Sequence, residues 1–146
     1  MLLSEITTMR VGGPARALVH ATSEAALNGA WRVVGDPYSR ARYLVDQGLR
    51  ALSLPPSSAT QQALLVELMD AREEADVDAA ARARVCARTA ERFTARFAAL
   101  AAALTPVPVA ELPLRHAAHL LTELLMLARL VADLGGAKLL PTLVDR

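Results

Sequence analysis

His116, His119 and Glu123 stand at positions i, i+3 and i+7. In a helix that spacing places two imidazoles and a carboxylate along one stripe, where they can ligate a divalent metal. Acids from a facing helix would complete the set. Glu67, Asp70 and Glu74 repeat the spacing earlier in the chain and are the natural partners. The competing reading is an ordinary solvated face, because Arg115, Thr122, Arg129 and Asp133 lie on or beside the same stripe. Leu64 and Leu68 lie opposite the three earlier acids, which turns those acids towards water as well. The solvated face is the reading preferred, with the metal site as its alternative.

Arg84, Arg88, Arg92 and Arg96 recur every four residues and make a slowly spiralling basic ridge. Such a ridge can grip phosphate or an acidic partner. Set against this, Glu91 and the acidic run from Glu67 to Asp78 can answer the charge within the chain. A net charge of +1 and only 3% aromatic residues argue against nucleic acid, which needs a basic excess and stacking platforms. The single cysteine, Cys86, excludes an intramolecular disulfide and a cysteine-rich zinc site. It has no activating base nearby in sequence, so a small packing residue is the expectation. No Ser-His-Asp set, P-loop or dinucleotide fingerprint occurs. The residues therefore lean towards a chain without catalysis and without a bound cofactor.

The elements that must position these side chains are helical. Hydrophobic residues make up 53% of the 146, and they are mostly Ala and Leu, strong helix formers with few β-branched companions. Short strand-like runs occur only at 6 to 11 and 15 to 21, around Gly12-Gly13-Pro14. Thr22 or Ser23 can cap a short helix over about 24 to 34, carrying Trp31, which Gly35-Asp36-Pro37 stops. Ala41, Leu44, Val45, Gly48, Leu49 and Leu52 predict the next helix, ended by Pro55-Pro56. Ser58 and Gln61 have capping-box spacing for a helix running to about Ala75.

Asp76 or Asp78 can cap a long helix with a heptad seam of Ala79, Ala83, Cys86, Ala90, Phe93, Phe97, Leu100 and Leu104. After TPVPVAELP, Pro113 suits the first turn of a last helix that stops at Gly135-Gly136. The expected fold is mainly α: an antiparallel bundle of about four helices over 37 to 136, preceded by a β-hairpin or extended arm and a short helix over 1 to 36. A tail follows over 137 to 146.

Residues 4 to 34, SEITTMRVGGPARALVHATSEAALNGAWRVV, carry TTMRVGGPA, a following strand and a Thr-Ser-Glu helix start. This segment resembles the N-terminus of the UDP-N-acetylenolpyruvoylglucosamine reductase family, flavoenzymes of peptidoglycan precursor synthesis. The resemblance implies FAD as cofactor and a glycine-rich GGGSN-like loop that cradles its pyrophosphate with backbone N–H groups. In this chain Val33-Val34-Gly35 leads instead into Asp36-Pro37-Tyr38-Ser39, and no such loop occurs later. The family's substrate domain, with its catalytic serine and glutamate, has no counterpart. A truncated or split reductase relic is thus one expectation among three.

The leading expectation is a small cytoplasmic bacterial protein from a high-GC genome that acts by protein–protein interaction or self-association. A homodimer would use the hairpin edge, the Phe93, Phe97, Leu100 and Leu104 surface, or both. The alternative is a small-ligand-binding or enzymatic bundle with a cavity between its helices. No signal-like start is visible, and residues 117 to 134 are too interrupted by charge to span a membrane.

Overall fold

Asp36 and Pro37 open the first helix of the bundle. The Asp36 side chain accepts a hydrogen bond from the Ser39 N–H at 3.0 Å, and Pro37 takes a first-turn position where its missing N–H costs nothing. The pair was expected to stop the preceding helix. That end lies outside the described residues; the pair starts the next helix, α1, Pro37–Ala51. The computed structural model describes residues 23–25, 28, 35–53, 62–105 and 109–140. Three more helices follow in them: α2, Gln62–Ala75; α3, Ala79–Leu104; and α4, Glu111–Asp133. Among the described residues there is no strand. The chain divides into two compact units, Met1–Val34 and Gly35–Arg146, and all four helices belong to the second.

The expected hairpin over 5 to 21, Trp31, the Pro55-Pro56 stop and the Ser58–Gln61 capping box lie outside the described residues. Of the expected helix over 24 to 34, Glu24, Ala25 and Asn28 are described, and they are helical.

Pairs of contacts give the helix directions. Glu74 meets Arg88 while Glu67 meets Arg92, so α2 and α3 are antiparallel. Arg92 and Arg96 meet Glu123 while Cys86 lies beside Gly136, so α3 and α4 are antiparallel. Tyr38 bonds to Leu121 and Gly48 abuts Leu114, so α1 runs antiparallel to α4. The result is an antiparallel four-helix bundle, as the periodicity predicts.

α4, like α3, touches each of the other three helices. It therefore buries a broad stripe, including Leu114, Leu120, Leu124, Leu127 and Val131, where a surface helix would bury a narrow one. Pro113 falls in its first turn as expected. Its end is a full Schellman closure: Gly136 N–H donates to Val131 C=O at 2.8 Å and Gly135 N–H to Ala132 C=O at 3.0 Å. Gly135 has φ +77°, the left-handed value this motif requires.

Two predicted stripes need correction. On α1 the buried side chains are Tyr38, Ala41, Val45 and Leu49, whereas Leu44 and Leu52 are half out in solvent. α1 packs chiefly on α4, so it buries a narrow stripe. On α3 the heptad holds from Phe93 onward, but before it the buried residues are Ala81, Val85 and Thr89, while Ala79 and Ala83 are exposed. Alanines mark a face weakly, and here the larger Val85 decides it. Asp78 supplies the α3 cap, accepting from Ala81 N–H at 2.6 Å.

Candidate functional site

The charged residues singled out in the sequence come together, and they come together on one another. Arg92 sits midway along α3. It donates from Nη1 to Glu67 on α2, and from Nε to Oε1 of Glu123 on α4 at 2.9 Å. Arg96, one turn on, donates from Nε to the same Glu123 oxygen at 3.1 Å. One turn back, Arg88 donates from Nη2 to Glu74 Oε2 at 2.8 Å. From Arg88 to Arg96 the basic ridge is thus an ionic zipper across three helices, facing carboxylates of its own chain. Glu67 and Glu123 together push the Arg92 guanidinium above the ordinary arginine range, the Glu67 hydrogen bond contributing most. The hydrogen bond from Arg88 holds the Glu74 carboxyl below the usual range, and the charge of Arg84 adds to this.

The two imidazoles do not join this cluster. His116 and His119 are exposed on α4, and Asp70 is exposed on α2. Among the described residues no group of three or more His, Cys, Asp or Glu side chains is placed to hold a metal ion. Glu67, Glu74 and Glu123 converge on guanidinium groups, which supply the positive charge at that place. Cys86 is half-buried, next to the backbone of Gly136.

The Phe93 to Leu104 seam has a divided role. Phe93 and Leu100 belong to the core of this chain, and Phe97 and Leu104 are only partly buried against it. The rings of Phe93 and Phe97 stack with centroids 6.0 Å apart and planes at 30°. Their edge forms one side of an open recess of about 480 Å³. Pro37 and Tyr38 from the start of α1, Ala98 of α3, and Leu139 and Leu140 from beyond α4 form the rest of its apolar lining. Asp36 and Thr94 add polar atoms.

Sequence reading missed this recess because its parts come from three distant places. Leu139 and Leu140 fall in what was read as a tail, yet Leu140 is 2% exposed and belongs to the core. Two consecutive leucines just after a glycine stop were the available signal. Compared with known protein families, curated proteins and solved structures, the chain shows no significant match to any of them. The reading of function therefore rests on the geometry alone. That geometry offers a neutralised ionic zipper and an unfilled apolar recess.

Proposed function

We propose that this chain is a non-catalytic helical module that works by protein–protein contact, with a second copy of itself as the partner at the Phe97 recess. The single observation that carries this reading is the recess. Apolar side chains from α1, α3 and the segment after α4 converge on open space, with the half-buried Phe97 ring at its edge. Glu67, Glu74 and Glu123 are meanwhile paired with Arg88, Arg92 and Arg96. Aromatic anchors in such recesses dominate interface energetics, and two-fold dimers are the commonest assemblies.

Sedimentation at micromolar concentration tests the reading. A dimer has twice the 15.5 kDa chain mass. Phe97→Glu should return it to the chain mass with its helical circular dichroism intact. A single species at the chain mass, unchanged on concentrating, rejects self-association. One observation favours a second reading: about 480 Å³ lies within the roughly 300–1,000 Å³ typical of small-molecule sites. An apolar small molecule bound there would appear in native mass spectrometry as a stoichiometric mass increment that Phe97→Glu abolishes. Among the described residues no helix is long and apolar enough to cross a membrane.

A further inference from the structure

α2 is held to the bundle differently from the other helices. Of its 14 residues only Ala75, in the last turn, is fully buried. Leu65, Val66 and Met69 are 49%, 54% and 62% exposed. Between α2 and the helices α3 and α4 lies a partly open cavity of about 370 Å³, lined by Leu68 and Ala71, by Thr89, Leu127 and Leu130, and by Asp70 with the acids and arginines of the ion pairs. The helix covers this floor without filling it. Leu68 packs on the core and Ala75 is buried, and three ion pairs add to these contacts: Glu67 to Arg92, Glu74 to Arg88, and Arg72 to Asp133 at 3.3 Å. Exposed pairs of this kind contribute little each, and salt screens them.

We infer that α2 is an exchangeable helix, the resident ligand of a groove on α3 and α4 that takes an amphipathic helix of another protein bearing two acidic residues seven positions apart. The argument is complementarity. Seven residues separate Glu67 from Glu74 along one helix, roughly 10 Å, and four separate Arg88 from Arg92, roughly 6 Å. The long arginine side chains splay to span the difference and meet the acids in antiparallel order. Between the acids α2 presents Leu68 and Ala71, a slender face that leaves the cavity open. A partner helix with the same acidic spacing and larger apolar residues between the acids would replace the ion pairs one for one. It would also fill space that α2 leaves empty. The connection to α3 is the short turn Asp76-Val77-Asp78, in which Asp78 caps α3 and Asp76 faces Arg82 at 3.9 Å, so release of α2 would hinge at this turn.

Hydrogen exchange on the full chain tests the first half of this inference. In wild type, α2 amides should exchange faster than those of α3 and α4. Raising the salt to about 1 M, where the screening length falls to about 3 Å, should speed α2 exchange further. Three screened surface pairs correspond to about tenfold. In Glu67→Lys/Glu74→Lys the arginines repel α2, and its protection should be lost while α4 keeps its own. A synthetic peptide of residues 62–75, added in excess to that variant, should shift the Leu127 and Leu130 methyl resonances. Arg88→Ala/Arg92→Ala in the same background should abolish the shift. The inference is overturned if α2 stays as protected as α4 at high salt, or if the peptide leaves those methyls unmoved. Should the double variant fail to fold, the wild-type salt series still decides.

Discussion

The Tyr38 hydroxyl donates to the backbone carbonyl of Leu121 at 3.0 Å, joining the first turn of α1 to the middle of α4 across 83 residues. Tyr38 is 6% exposed, so its hydroxyl has little access to water as an alternative partner. Tyr38→Phe keeps the ring and removes the bond. It should lower stability by about 1 kcal/mol, read as a lower urea midpoint with an unchanged slope.

The same burial raises the Tyr38 pKa above 10.0, with nearby Arg42 opposing the shift. A raised tyrosine pKa means that the fold prefers the neutral phenol. Its contribution is therefore complete below the ordinary value and is lost as pH rises through the folded value. Wild type should lose stability above pH 10.0 more steeply than Tyr38→Phe, as followed by urea midpoints across that range.

Gly48 in α1 is required by the close approach of α4. A Cβ built there would meet both methyls of Leu114 at 2.8 Å, and Leu114 is itself 1% exposed with nowhere to move. Alanine in a helix normally gains about 1 kcal/mol over glycine, but overpacking costs about 1–3 kcal/mol. Gly48→Ala should be destabilising on balance. Combining it with Leu114→Ala should cost less than the sum of the two single changes, since the smaller side chain relieves the clash. Additive costs in thermal or urea unfolding would mean that the two helices separate freely.

Much of the bundle was legible in local chemistry. Asp78 as cap, Pro113 in a first turn and Gly135-Gly136 as a stop are signals that act within a few residues, and the structure uses each of them. What stayed hidden depends on partners far away in sequence. The α3 face before Phe93 follows Val85 and Thr89, because α3 lies against both α2 and α4, and alanine-rich periodicity cannot reveal a three-way arrangement. The arginine ridge and the acidic run were both visible, and the acidic run was a recognised candidate to answer the ridge. Their register was not, since it depends on α2 lying antiparallel to α3. The apolar recess depends on Leu139 and Leu140 folding back beside Phe93; the paired leucines signal burial but not this partner.

Glu74 should titrate below 4.5, because the Arg88 hydrogen bond stabilises its charged form. A depressed carboxyl pKa contributes stability above the unfolded value, and that contribution is lost as pH falls through the folded one. The Glu74 side-chain carbonyl resonance should therefore show a midpoint below 4.5, and Arg88→Ala should move that midpoint upward. If Arg88→Ala leaves it unchanged, the pair does not hold in solution.

The ionic zipper makes an ordered prediction about its two acids on Arg92. The Glu123 side chain is 15% exposed and accepts from both Arg92 and Arg96, whereas Glu67 is 57% exposed and answers Arg92 alone. Coulomb attraction grows as water is excluded, and a half-buried guanidinium left without its carboxylate keeps its desolvation penalty. Glu123→Gln should therefore cost about 1.5–3 kcal/mol, the range for hydrogen bonds to charged groups. Glu67→Gln should cost about 0.2–1 kcal/mol, the range for exposed pairs. Salt separates them further: at about 1 M, with screening over about 3 Å, the Glu67→Gln cost should vanish while most of the Glu123→Gln cost remains. Chemical denaturation by urea, which adds no ions, is the suitable measurement. Equal costs, both within the exposed-pair range at low salt, would show that the zipper contributes little and that α3 and α4 are held by their apolar seam.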